Sequence, residues 1–78
     1  MRRLKLMDSS GDTMIEFEPG VEMASKAEME ARALFERMTG KGAAVFAVNR
    51  GEGKPDLRVT DFRALEDENL IVPPIVGG

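Results

Sequence analysis

The chain has 78 residues, 11 basic and 14 acidic, for a formal net charge of −3, and it contains no Cys, His, Trp or Tyr. Without Cys there is no disulfide, thiol nucleophile or thiolate metal site. Without His the usual general base at neutral pH and the commonest transition-metal ligand are missing. A single domain this short, burying only about 60% of its unfolded surface, reads as a small binding, carrier or modifier protein and not as an enzyme.

Arg3 to Met7 alternates, with Leu4 and Leu6 on one face and Arg3 and Lys5 on the other, which predicts a half-buried strand. Arg2, Arg3 and Lys5 form a basic cluster, read as a solvated strand end. Asp8 to Asp12 is turn chemistry, and Gly11 is free to take a positive φ. Thr13 to Glu18 alternates again, with Ile15 and Phe17 opposed to Glu16 and Glu18, so strand, turn and strand make a hairpin that Pro19-Gly20 ends.

Ser25 and Glu28 have capping-box spacing. The helix that follows carries Ala27, Ala31, Leu34, Phe35 and Met38 as one apolar stripe, with Gly40 placed as its stop. Met29 and Met38 read as gap-fillers. Ala43 to Val48 is a continuous apolar run, read as a strand buried on both faces and central in the sheet. Arg50 to Asp56 is a loop. Its Gly51-x-Gly53-Lys54 lacks phosphate-loop spacing and a following helix, so it reads as a surface turn.

Leu57 to Phe62 reads as a short strand. Arg63 to Glu68 is a one-turn helix or loop anchored by Leu65, and Asn69 to Val72 is a last strand that Pro73 and Pro74 terminate. The order strand, strand, helix, strand, strand, strand predicts an α+β chain of β-grasp type. The apolar run is expected beside the first strand, and the final strand parallel to the first. A ferredoxin-like fold is the alternative, but it needs a second full helix.

The expected organisation is a domain over residues 1–72 and an extended tail over 73–78. Asp67-Glu68-Asn69-Leu70-Ile71-Val72-Pro73-Pro74-Ile75-Val76-Gly77-Gly78 resembles the C-terminus of ubiquitin-like β-grasp proteins, above all the small sulfur carriers of molybdopterin and thiamine synthesis. The opening Leu4 to Gly11 is similar to compact ubiquitin-like proteins of bacterial conjugation operons, some of which act in antiviral defence.

The resemblance implies that a partner enzyme adenylates the carboxyl of Gly78 with ATP. Gly77 and Gly78 would thread its channel, Pro73 and Pro74 would stiffen the base of the tail, and Ile75 and Val76 would either grip the partner or pack back on the sheet. It implies an activating enzyme, a conjugating enzyme, a deconjugating protease and a target protein as partners. Two fates stay open: isopeptide or ester transfer to a target, the preferred one, and a thiocarboxylate that delivers sulfur. A third reading is a non-covalent interaction module like the ubiquitin-like proteins of phage tail assembly. The tail lacks the Arg found in ubiquitin itself, and Lys5, Lys26, Lys41 and Lys54 are the only lysines that could accept a further copy.

Phe46 or Val48, on a sheet face that a single helix leaves open, would form a partner patch, or else a small second core beneath the Arg50 to Asp56 loop. The adjacent carboxylates Asp67 and Glu68 read as solvated, not as an acid–base pair. No bound cofactor or metal is expected. The interspersed charges carry no nucleic-acid footprint. No apolar run approaches the roughly 20 residues of a membrane span, and the basic N-terminus lacks the apolar stretch of a signal peptide. The expectation is a cytoplasmic protein, monomeric when free.

Overall fold

The computed structural model describes residues 1–8, 11–20 and 23–74. One helix packs on one face of a five-stranded mixed sheet in the order β2-β1-β5-β3-β4. The strands are β1 (Arg2–Asp8), β2 (Gly11–Phe17), β3 (Ala44–Ala47), β4 (Leu57–Val59) and β5 (Glu68–Val72), and the helix is α1 (Lys26–Gly40). A 3-10 turn (Phe62–Ala64) links β4 to β5. This is the α+β, β-grasp-like layout that the order of elements predicts.

β1 and β2 form the expected hairpin, paired from Arg2↔Phe17 to Asp8↔Gly11, with Gly11 at φ +128°. Ser9 and Ser10 of the expected turn lie outside the described residues. Ser25 caps α1, its Oγ accepting from Glu28 N–H at 3.1 Å. The capping box is only half made. Glu28 Oε1 accepts from Gly20 N–H at 2.8 Å instead, so it ties the segment after the hairpin to the helix start.

The helix stops at Gly40 as expected, but Gly40 is not the left-handed residue that caps it. It is the last helical residue, and the chain reverses at Gly42, with φ +97°. Gly42 N–H donates to Thr39 O and Ala43 N–H to Met38 O, each at 3.0 Å. That is the Schellman arrangement, which needs its left-handed residue one step beyond the cap residue, here Lys41.

The helix stripe is correct: Ala31, Leu34 and Phe35 are buried, with Ala27 and Met38 packed at the margin. Met29 is not a gap-filler, being 56% exposed. The helix closes on Leu4, Leu6, Phe17, Val45, Ala47, Val59 and Ile71 of the sheet. Phe62 was expected in a strand but belongs to the 3-10 turn. It plugs one end of the core, stacked on Phe17 with centroids 5.5 Å apart and edge-on to Phe35 at 5.8 Å. The Arg32 guanidinium covers its outer side at 4.7 Å. Leu65, the expected anchor, is buried.

The apolar run is an interior strand, paired on both edges, but it is not the middle one and does not lie beside β1. β3 pairs antiparallel with β4 and β5, and β5 takes the centre, parallel to β1. The run is also not buried on both faces. Val45 and Ala47 meet the helix, whereas Ala44, Phe46 and Val48 are half-buried on the opposite face. Among the described residues, no helix is long and apolar enough to cross a membrane.

Candidate functional site: the open face of the sheet

Successive strand residues alternate between faces, so the register decides which side chains meet on the uncovered side. Met14 pairs with Lys5, Lys5 with Leu70, Leu70 with Phe46, and Phe46 with Arg58. One residue from each strand thus joins a single row across the whole open face. Its middle is apolar, and Lys5 and Arg58 are its cations. The Arg58 guanidinium lies 5.9 Å from the Phe46 ring centroid.

Met7, Met14 and Val72 on this face are 49%, 53% and 40% exposed, and Phe46, Val48 and Leu70 are half-buried. A shallow groove of about 350 Å³ lies among Arg3, Lys5, Met14, Val48, Glu68 and Leu70. The expected patch residues Phe46 and Val48 therefore share a surface, and the register adds Leu70 and Met14 to it. Met14 was legible in the alternation that sets Glu16 outward. Leu70 was not, because Leu-Ile-Val is apolar at every position.

Arg3 stands in the next row between Glu16, at 3.2 Å, and Glu68, at 3.7 Å. Lys5 Nζ is 4.0 Å from Asp12. The basic cluster is thus not simply solvated, since Arg3 and Lys5 are tied into ion pairs on the open face. These are half-exposed pairs, of the kind that contributes at most about 1 kcal/mol each. Glu68 also accepts from Asn49, whose φ of +50° starts the loop after β3. Arg50 reaches Glu66 at 3.1 Å and Pro55 O at 3.1 Å, pinning that loop across its base. The loop does not cover a second core, because the groove beside Val48 and Asn49 is open.

The tail begins where β5 ends. Pro73 is half-buried and Pro74 exposed, and no strand includes either. A Cβ built on Gly42 would stand 3.9 Å from Pro74 Cβ, so the prolines pass the turn that ends α1. Ile75, Val76, Gly77 and Gly78 lie outside the described residues. Asp67 is exposed and Glu68 half-buried, and Glu68 is engaged by Arg3 and Asn49. Asp61 is held below the usual carboxylate range by its hydrogen bonds from Arg63, side chain first and backbone second. Among the described residues no cluster of three or more acidic side chains is placed to hold a metal ion. No protein family, characterised protein or solved structure matches the chain.

Proposed function

We propose that the chain is a ubiquitin-like protein modifier whose Gly78 carboxyl, encoded or trimmed as the terminus, is the reactive group. The observation that carries the reading is the path of the last strand. β5 is locked centrally between β1 and β3, and the chain leaves it through Pro73-Pro74 toward Gly77-Gly78. A rigid strand, a stiff Pro-Pro base and two residues without Cβ make a terminus that a narrow enzyme channel can admit.

A partner enzyme would join the Gly78 carboxylate to the AMP moiety of ATP and release pyrophosphate. A target amine would then displace AMP and form an isopeptide bond, with a conjugating enzyme carrying the transfer and a protease reversing it. The same adenylate, attacked by a sulfur donor, would give a thiocarboxylate, so a sulfur carrier is the alternative within this reading. The apolar row through Leu70 and Phe46 favours a second reading, a non-covalent interaction module, because that surface serves recognition with or without tail chemistry.

The test is intact mass after incubation of the protein with ATP and lysate of its own cells. A covalent ladder lost on deleting Gly77 and Gly78 is the expected result. A gain equal to sulfur replacing oxygen would make the protein a sulfur carrier. Unchanged mass, with partner capture insensitive to the deletion, would overturn both and leave the interaction module.

A further inference from the structure

The two edges of the sheet are unlike. β4 is three residues long, carries Arg58 and follows Pro55, all features that discourage further pairing. β2 is seven residues long, pairs with β1 in an unbroken register without a bulge, and holds neither Lys nor Pro. Its backbone orientation follows from β1. Arg3 N–H donates to Asp67 O at 2.8 Å, so Arg3 and Lys5 turn their backbone groups toward β5. Arg2, Leu4 and Leu6 then turn theirs toward β2, where they meet Phe17, Ile15 and Thr13. The intervening residues Asp12, Met14 and Glu16 direct their N–H and C=O groups to the free edge. Among the described residues none of these groups has a hydrogen-bond partner outside its own strand pairing.

The rim has a sign. Asp12 and Glu16 flank Met14 on the open face. Their compensating cations, Lys5 and Arg3, sit one strand further in. A strand laid on the edge would stand about 5 Å from the acids and about 10 Å from those cations. A second copy is a poor occupant, because a two-fold pairing about Met14 sets Asp12 of one copy opposite Glu16 of the other, twice. Like charges directly opposite destabilise a pair of strands.

We propose that the β2 edge is a docking site for an extended peptide segment of alternating basic, apolar and basic residues, which adds to the sheet as a sixth, antiparallel strand. Its backbone pairs with Asp12, Met14 and Glu16. Its apolar side chain lies beside Met14, and its two cations lie opposite Asp12 and Glu16. Backbone bonds supply the general affinity and the acids supply the selection. This proposal stands independently of the chemistry of the tail.

The probe is acetyl-Thr-Lys-Thr-Val-Thr-Lys-Thr-amide, with the same peptide carrying Glu for Lys as its counterpart. Amide chemical shifts and hydrogen exchange are followed on the full chain. The basic peptide is expected to bind about tenfold more tightly than the acidic one, the scale of two cross-strand charge pairs changing sign. It should protect the Asp12, Met14 and Glu16 amides, and added salt should weaken it.

Met14→Pro removes an outward N–H without touching the β1 ladder and should abolish binding with the amide spectrum still dispersed. Should that variant lose its fold, Asp12→Asn/Glu16→Gln decides, since it keeps the backbone and should erase the preference between peptides. Equal binding of the two peptides by the wild-type chain overturns the proposal, as do absent binding and shifts confined to Phe46 and Leu70. Self-association through this edge, seen by sedimentation, overturns the chosen occupant.

Discussion

Asn69 Nδ2 donates to the Arg3 carbonyl oxygen at 2.9 Å, so a side chain joins the last strand to the first. The same amide also donates to Glu66 O at 2.7 Å, and its Oδ1 accepts from Glu66 N–H at 2.9 Å. Among the described residues Asn69 is the buried polar side chain of the core, 2% exposed, and its two bonds to Glu66 close the turn into β5 while the third reaches β1. Asn69→Ala should cost about 2 kcal/mol, because it strands buried backbone groups as well as losing bonds. Urea unfolding checks this, and a loss below a few tenths of a kcal/mol would show that water replaces the amide.

Phe62 is the second sensitive point. It contacts Phe17 and Phe35 and lies under Arg32. Phe62→Ala should remove about 3–5 kcal/mol. That is a large part of the roughly 4–12 kcal/mol available to a chain of this size. Phe62→Leu, which keeps most of the volume, should stay folded with a loss of about 1–2 kcal/mol. Thermal unfolding of the pair separates them.

Two glycines near the end of α1 should respond with opposite sign. Gly40 has helical geometry and open space around its Cα, so Gly40→Ala should stabilise by about 0.5 kcal/mol. Gly42 is also roomy but sits at φ +97°, so Gly42→Ala should destabilise by about 1 kcal/mol or more. Equal effects in denaturant unfolding would contradict the Schellman geometry.

Asp61 accepts from both the backbone N–H and the guanidinium of Arg63. Its folded carboxyl therefore titrates below its unfolded value. The stability it contributes is present above the unfolded pKa, about 3.9, and is lost as pH falls through the lower folded value. Carboxyl carbon NMR should place the Asp61 midpoint below that reference. Arg63→Gln should move it upward, and an unmoved midpoint would refute the link.

Hairpin and helix stripe were legible because each is a local periodicity, Leu4 and Leu6, then Ala31 to Met38, and the last strand because its apolar run ends at two prolines. Strand order was legible only in part: the last strand does lie parallel to the first, but the apolar run is not beside it. Ala43 to Val48 is the most apolar run, and hydrophobicity alone points it to the middle. The middle goes instead to β5, whose Leu70 and Ile71 supply both faces while Asn69 satisfies the turn behind it. The helix ends at Gly40 as expected, but the left-handed glycine that caps it lies two residues further on, for a similar reason. Gly40 and Gly42 are the same residue type, and only the carbonyls left free by Met38 and Thr39 distinguish them. The open-face row could not be read from any one segment, because it exists only once four pairings are in register.

The placement of β5 also has a consequence in time. The strand that holds the two halves of the sheet together is the last of the five to be synthesised, and it pairs with the first. At about 5–20 residues per second of synthesis, the hairpin and the helix are exposed well before their central strand emerges. Until then β1-β2 and β3-β4 have no strand between them, so the sheet closes only after β5 has left the ribosome. A stop codon ahead of β5 would leave the two pairs of strands unjoined, without the buried Asn69 and Ile71 that close the core.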